Sequence, residues 1–406
     1  IKKAKENEKI KGICLNAGVF ACSPASLEEI RNALKDFKES GKFLVAYGGN
    51  YLQSTYYLAS VADKVAINPQ GSLGWHGIAT QIYFLKDLYD KIGVEMQVFR
   101  VGTYKSAVEP YIATQMSDAN REQTQAFANS IWNQMVADVS ASRNIPADSL
   151  NALADRNMDL QSTETYIATG LADTLIYQDG MLAYLKQLTE TDEDDALNKL
   201  YLEDMVNVQR NVPKDKSGNV LAVYYAAGTI GTGGFSTDEG INPEKVTKDL
   251  RRLREDESIK AVVFRVNSPG GSAFGSEEIW REITLLKEKK PVIVSMGDYA
   301  ASGGYYISCA ADWIVAQPTT LTGSIGIYGA IPNADKLLND KLGIHFDGVK
   351  TNKLADFGVI NRPFNEEEKA LMQGMINRGY ELFTQRCADG RKMSVDEIKQ
   401  IAEGRV

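Results

Sequence analysis

Short apolar runs alternate with amphipathic stretches through the second half of the chain. Three nearly continuous apolar runs predict strands buried on both faces: 219–227, 261–266 and 291–296. Two stretches between them carry apolar residues at helical spacing and predict helices: 244–257 and 276–287. Asn365 and Glu368 have the spacing of a capping box and predict the start of a longer helix. This alternation predicts an α/β unit with a helix-covered, mainly parallel sheet.

The same pattern occurs twice in the chain, at an offset of 249 residues. Tyr56–Asp63 reads Tyr-Tyr-Leu-Ala-Ser-Val-Ala-Asp, and Tyr305–Asp312 reads Tyr-Tyr-Ile-Ser-Cys-Ala-Ala-Asp. The same offset pairs Glu28 with Glu277. We expect it to hold without a gap over about 70 residues, which indicates an internal duplication. The predicted fold class is therefore α/β, with two tandem repeats of one unit.

The duplication predicts a division of the chain into an N-terminal repeat, a linker and a C-terminal repeat: 1–186, 187–218 and 219–406. An acidic run, Asp192–Asp195, and the polar segment 213–218 are typical of a solvated linker. Copy one lacks a counterpart of the strand at 219–227, and copy two lacks a counterpart of 161–183. We therefore expect this sequence to be an excerpt of a longer chain.

Composition narrows the classes of function. The net charge of −8 and a pI of about 5.2 argue against nucleic acid as a partner. The four cysteines have no metal-ligand spacing, and the sequence predicts neither a metal nor a cofactor. No run of about 18 or more apolar residues predicts a membrane-spanning helix. The chain has two histidines, and His345 is expected to play a structural role at the end of an edge strand, 343–347.

Ser302 lies where the predicted strand 291–296 gives way to a helical pattern of small residues at 304–311. Free N–H groups at a helix N-terminus favour negative charge, and small neighbours such as Gly303 let another backbone approach the hydroxyl. The serine is therefore either a nucleophile or an ordinary helix N-cap. Copy one has Gln53 at the corresponding position, so only copy two carries a hydroxyl there.

A second turn in copy two, Asn267–Ser272, reads Asn-Ser-Pro-Gly-Gly-Ser at the end of a predicted strand. Gly270 and Gly271 would expose backbone N–H groups, which suits an oxyanion hole. An ordinary glycine turn is the alternative. A serine nucleophile also needs a base, and two lysines are candidates. Lys105 lies among small and aromatic residues, and Lys353 follows Ser302 by 51 residues, with Asp356 nearby. Composition and spacing leave the choice open.

Four stretches together resemble the signal peptide peptidase A (protease IV) family of Ser/Lys peptidases, in its long, duplicated form: 100–110, 267–272, 296–308 and 321–327. The resemblance implies tandem crotonase-like or Clp-protease-like repeats. It implies Ser302 as nucleophile and Lys105 as base, brought together across the domain interface, with Ser324 holding the lysine. Gly271 matches the oxyanion-hole glycine, and Gly270 and Gly303 complete the predicted site. Short members carry the lysine near the place of Lys353, but its surroundings here differ, so Lys105 is preferred.

The resemblance also implies a substrate class and a location. It implies a serine endopeptidase that hydrolyses hydrophobic peptides, above all signal peptides that are left in or at the membrane after their cleavage. It further implies a homotetramer at the bacterial cytoplasmic membrane, with its active sites on the extracytoplasmic side and a membrane anchor outside this sequence. Two other hypotheses stay open. One is a crotonase-like acyl-CoA enzyme that uses the same oxyanion hole, and the other is a non-catalytic membrane-associated scaffold.

Overall fold

The computed structural model describes residues 1–210, 215–232 and 240–406; part of the predicted linker, 211–214, lies outside these residues. Its strands are β1 (Gly12–Asn16), β2 (Phe43–Tyr51), β3 (Lys64–Leu73), β4 (Glu95–Arg100), β5 (Thr174–Leu175), β6 (Val220–Ala227), β7 (Ile259–Ser268), β8 (Val292–Ala301), β9 (Trp313–Val315), β10 (Leu321–Gly323) and β11 (Tyr328–Asn333). Its helices are α1 (Lys2–Glu6), α2 (Pro24–Lys38), α3 (Gln53–Ala59), α4 (Lys86–Ile92), α5 (Glu109–Ile112), α6 (Asp118–Arg143), α7 (Ala147–Asp155), α8 (Thr163–Ala168), α9 (Gln178–Thr189), α10 (Pro243–Glu255), α11 (Ala273–Lys287), α12 (Gly303–Tyr306), α13 (Glu366–Arg391) and α14 (Val395–Ile401).

The chain divides into two compact units. Unit 1 consists of Ile1–Ala79 and Asn129–Ser217, and unit 2 consists of Thr80–Ala128 and Gly218–Val406. The boundaries of these units reflect compact packing and differ from the predicted boundaries of the sequence repeats. The predicted repeat boundaries therefore stay predictions. Within the described part of the chain, no helix combines the length and the apolarity needed to cross a bilayer.

Unit 1 is built on a parallel sheet of four strands in the order β1-β2-β3-β5. Leu27, Leu34 and Phe37 form the buried face of α2. On α9, Met181 packs against Val45 and Ala66 of the sheet. Apolar strands covered by amphipathic helices bury both faces of the sheet, as the hydrophobic pattern predicts.

Unit 2 contains a second parallel sheet, in the order β10-β8-β7-β6, with β9 paired to the first half of β8. Helices α10 and α11 bury Leu250 and Ile283 in its core, against strand residues such as Phe264. The strands predicted at 219–227, 261–266 and 291–296 and the helices predicted at 244–257 and 276–287 are present, and β8 runs on to Ala301. The predicted fold class, helix-covered and mainly parallel α/β in both copies, is confirmed.

A small antiparallel sheet in unit 2 pairs β4 with β11, from Tyr328 opposite Arg100 to Asn333 opposite Glu95. Strand β4 belongs to the first sequence copy and β11 to the second. Helix α13 packs on this sheet through a cluster of buried side chains: Phe99, Phe364, Met372 and Ile376. The predicted capping box of α13, Asn365 with Glu368, is confirmed. This packing holds β4 in place, and the end of β4 leads to Lys105.

The offset between the copies is not constant, so the expectation of an alignment without a gap is wrong. Asp63 exchanges two hydrogen bonds with Leu44, and Asp312 exchanges the same two with Val292, which gives the strand residues an offset of 248. Further along, Asn50 pairs with Ser72 and Tyr299 with Leu321, and the offset is 249 again. Copy one has one more residue in the turn before β2. Copy two has one more residue late in β8, so the two changes cancel in the sequence.

Candidate active site

Ser302 lies between the end of β8 and the first turn of α12. Its backbone has φ 54° and ψ −119°, and its N–H donates to Gly323 O at 2.9 Å. Its side chain makes no capping hydrogen bond to α12, so the N-cap alternative does not describe it. The predicted helix at 304–311 is shorter than expected, because α12 ends at Tyr306 and turns follow.

Left-handed backbone conformations recur around this serine. Ser324 has φ 49° and Glu403 has φ 59°, in addition to Ser302. Such conformations cost non-glycine residues about 1–3 kcal/mol each and are concentrated at functional sites. The strain indicates that the surrounding structure determines where these side chains point.

Gly270 and Gly271 form a turn packed against the backbone of Ser302. A Cβ atom at Gly270 would lie 2.6 Å from Gly303 N and 2.8 Å from Ser302 Cβ, and Gly270 has φ 103°. The Gly270 N–H donates to Ser268 Oγ at 3.1 Å. Within the described chain, the N–H groups of Gly271 and Gly303 have no hydrogen-bond partner. The turn therefore leaves two backbone donors unused close to the serine.

Lys105 follows β4 in a loop and is only 4% exposed. Its Nζ lies 3.3 Å from Ser302 Oγ, 3.0 Å from Ser324 Oγ and 3.0 Å from Ser324 O. The structure thus brings together Ser302, Lys105 and Ser324. All three belong to unit 2, although Lys105 lies in the first sequence copy.

Burial lowers the pKa of the Lys105 amine from its ordinary value of 10.5 to about 8. A nearby carboxylate would oppose this effect, but in the described ranges none forms an ion pair with Lys105. Glu109, four residues on, accepts hydrogen bonds from Ser117 and Asn120 instead. Desolvation without a counter-ion favours the neutral amine, so about a tenth of it is neutral at pH 7.

The other sequence candidates lie elsewhere. Lys353 is exposed and forms an ion pair with Glu367, while Asp356 bonds to Lys350 and Arg362. The structure places Lys105, and not Lys353, beside Ser302. His345 is exposed in a stretch without regular structure, so the predicted edge strand at 343–347 is wrong. Its apolar neighbours suggest a strand, but they are exposed, and no sheet pairs with them among the described residues.

Sequence reasoning missed the segment Glu403–Arg405, which contacts both Lys105 and Ser324. Gly404 N donates to Ile325 O, and Ser324 N donates to Arg405 O. The signal in the sequence is a glycine shortly after the residues that form α14, and such a glycine is typical of an ordinary helix end.

The counterpart of Ser302 in copy one, Gln53, has its polar atoms satisfied within unit 1. Its Oε1 accepts from His76 N at 2.9 Å and Gly77 N at 3.0 Å, and its Nε2 donates to Gly77 O at 3.0 Å. The side-chain amide of Gln53 thus binds the backbone of His76 and Gly77, the residues that correspond to Ile325 and Gly326 in copy two.

Comparisons with known proteins identify the family to which the chain belongs. The model of peptidase family S49 matches residues 36–192 and 284–406, one segment in each sequence copy. The chain is 38% identical over 421 residues to Protease 4 of Haemophilus influenzae, covering 100% of this chain and 67% of that protein. It is 39% identical over 415 residues to Protease 4 of Salmonella typhi, covering 100% of this chain and 66% of that protein.

A plant relative is similar over the same span. The chain is 33% identical over 409 residues to the chloroplastic serine protease SPPA of Arabidopsis thaliana, covering 100% of this chain and 60% of that protein. The chain thus spans about two thirds of the length of the curated relatives that it matches. The match to the family model and the similarity over the whole of this chain show that the chain belongs to peptidase family S49.

Proposed function

We propose that this chain is a serine peptidase in which Ser302 is the nucleophile and Lys105 the general base. The observation that carries the proposal is the 3.3 Å separation of Lys105 Nζ from Ser302 Oγ. The distance is slightly longer than the range in which a base accepts a proton directly, as is common before substrate binds. Similarity over the whole of this chain to proteins named as proteases supports the same reaction class.

In the first step the neutral Lys105 amine takes the Ser302 proton while Oγ forms a bond to the scissile carbonyl carbon. The ammonium ion so formed is held by Ser324 O and Ser324 Oγ, both 3.0 Å away. It returns the proton to the leaving amine as the C–N bond breaks, which leaves an acyl-enzyme. Water then releases the acyl group, with Lys105 again acting as base.

The developing oxyanion needs donors that are free before the reaction begins. Gly271 N–H and Gly303 N–H are the candidates, because Gly270 N–H is already bonded to Ser268 Oγ. A donor of this kind contributes about 3–4 kcal/mol of transition-state stabilisation. Gly270 then has a steric role, since any side chain there would push the turn away from Ser302.

We extend the proposal to substrates and location on the resemblance alone. The substrates are hydrophobic peptides, above all signal peptides that are left in or at the membrane after their cleavage. The assembly is a homotetramer attached to the bacterial cytoplasmic membrane, with its sites on the extracytoplasmic side. Nucleic acid is not proposed as a partner, because the net charge is −8.

Covalent labelling tests the nucleophile directly. A fluorophosphonate should label one residue per chain, Ser302, and Ser302→Ala should lose both the label and the hydrolysis of a hydrophobic peptide. Alanine fits this small-residue turn, so circular dichroism should be unchanged. Ser54→Ala, at the corresponding turn of copy one, is the matched control and should keep full activity. Labelling at another residue, or hydrolysis by Ser302→Ala, would refute the assignment.

A further inference from the structure

The chain reverses sharply after α14 and passes directly over the lysine. Glu403 and Gly404 are consecutive residues with left-handed backbone, at φ 59° and φ 75°. Ala402, just before them, is buried at 1% exposure. Arg405 N donates to Ala402 O at 3.0 Å and closes the turn.

Gly404 lies against the backbone of Lys105. A Cβ atom at Gly404 would be 2.7 Å from Lys105 N and Cβ, and 2.8 Å from its Cα. On its other side Gly404 N donates to Ile325 O at 2.9 Å, and Ser324 N donates to Arg405 O at 2.6 Å. Ser324 Oγ also lies 3.3 Å from Gly404 O. The turn is therefore packed between the base candidate and the serine that accepts its hydrogen bonds.

The side chains of the same turn hold the residues that precede the lysine. Glu403 Oε2 accepts from Thr103 N at 3.0 Å and from Thr103 Oγ1 at 2.7 Å. Glu403 O accepts from Tyr104 N at 2.8 Å, and the Arg405 guanidinium lies 4.1 Å from the centre of the Tyr104 ring. Thr103 thus contacts Glu403, Tyr104 contacts Glu403 and Arg405, and Lys105 contacts Gly404. These contacts join residues about 300 positions apart in the sequence.

We propose that the Glu403–Arg405 turn is the positioning element that keeps Lys105 against Ser302 and out of water; this rests on the proposed function. The residues between β4 and Lys105 form no strand or helix, so they have no sheet of their own to fix them. A lysine side chain has many accessible rotamers, and a free loop would leave its amine mobile and hydrated. Packing of the loop against the strained turn restricts the motion of the lysine amine and keeps water away from it.

Gly404→Ala tests this role, because the new methyl group must displace the Lys105 backbone. Gly343→Ala is the matched control: Gly343 also has positive φ, at 66°, but nothing lies within 4 Å of its Cβ position. At pH 7 we expect Gly404→Ala to lower kcat/KM by about 100-fold per titrated active site, since a shift of about 1 Å has such an effect. Gly343→Ala should stay within about twofold of the parent protein, because its strain is remote from the site.

The pH profile separates positioning from simple destabilisation. The base must be neutral, so kcat/KM rises with pH through the lysine pKa, about 8 in the parent protein. Hydration of a displaced amine moves that rise toward 10.5, so Gly404→Ala should shift it upward by about one unit or more. Gly404→Ala leaves in place the charged side chains around residues 103–105: Arg100, Glu109, Glu122, Glu403 and Arg405. The inference is overturned if kcat/KM of Gly404→Ala rises at the same pH as in the parent protein and activity falls only in proportion to the amount of folded protein.

Glu403 gives a second route if Gly404→Ala does not fold. Glu403→Ala removes the acceptor for Thr103 and should shift the profile in the same direction, whereas Glu403→Gln keeps an acceptor oxygen and should restore it. Equal profiles for these two variants would contradict the positioning role. Activity in Ser302→Ala or Lys105→Ala would refute the proposed function itself. If Ser302→Ala and Lys105→Ala are both inactive but the pH profiles of Gly404→Ala and Glu403→Ala are unshifted, only the positioning role is refuted.

Discussion

The turn at Ser302 and the turn at Gln53 occupy corresponding positions in the two sequence copies, but their chemistry differs. Each follows a long parallel strand, and in each the strand pairs onward in the same register, Asn50 with Ser72 and Tyr299 with Leu321. Gln53 is the first residue of α3, and its amide satisfies three backbone groups of unit 1. Ser302 instead has a left-handed backbone and leaves its hydroxyl beside a buried amine.

The difference between these turns shows how a site is made from an ordinary fold. In copy one the side-chain amide of Gln53 is used for stability, because its oxygen and its nitrogen both have partners inside the protein. In copy two Gly271 and Gly303 keep unused donors, and Ser302 keeps a strained conformation. Strained residues and unsatisfied donors are tolerated where they serve binding or catalysis.

Two local changes in sequence accompany the difference. Copy one has Ala21 and Cys22 where copy two has Gly270 and Gly271. Copy two also has one more residue between Ser295 and Tyr299 than copy one has between the corresponding positions. There the Asn267 side chain accepts from Tyr299 N at 3.0 Å and contacts Asp298 at 3.2 Å. The extra residue lies just before Ser302, where it alters the path of the strand end.

The largest expected effect separates the two lysines. Lys105→Ala should lower kcat by about 10³–10⁴-fold, because Ser302 loses its general base. Lys353→Ala is the control and should change kcat by less than about twofold, because it removes only an exposed ion pair with Glu367. Steady-state hydrolysis of one hydrophobic peptide by both variants decides between them. A large loss with Lys353→Ala and a small one with Lys105→Ala would mean that copy two supplies its own base.

A smaller effect is expected from making the glycine turn of copy two resemble that of copy one. Gly270→Ala places a methyl group 2.6 Å from Gly303 N and forces strain at φ 103°. We expect kcat to fall by about 10²-fold as the oxyanion donors move. Gly358→Ala, at φ 86° with open space around it, controls for backbone strain. Equal kinetics for the two variants would show that the close approach of the Gly270 turn is not required.

The smallest effect on activity is expected in copy one. Gln53→Ala leaves the N–H groups of His76 and Gly77 without their acceptor, so the free energy of unfolding should fall by about 1–2 kcal/mol. Thermal denaturation should register this loss, while kcat/KM per folded molecule stays unchanged. Gln53→Ser should gain no fluorophosphonate label, because copy one offers neither a glycine pair nor an equivalent of Lys105. A second labelled serine would show that the hydroxyl alone makes the site.

The sequence by itself determined the α/β units, their duplication and the strand–turn–helix around Ser302. These features are local, because apolar periodicity and small-residue turns depend on neighbours a few positions apart. The duplication also singled out Ser302, since Gln53 cannot act as a nucleophile. The offset of 249 residues looks constant in the sequence because two changes cancel. Copy one has one extra residue before β2, and copy two has one extra residue late in β8.

Only the tertiary structure decided which lysine meets the serine. Lys105 is buried because β4 pairs with β11, and that pairing joins segments more than 200 residues apart. The turn at Glu403–Arg405 reaches the lysine loop across about 300 residues. Burial of an amine, and with it a pKa of about 8, depends on everything packed around it and not on its neighbours in sequence. Lys353, in contrast, is exposed to water and forms an ion pair with Glu367.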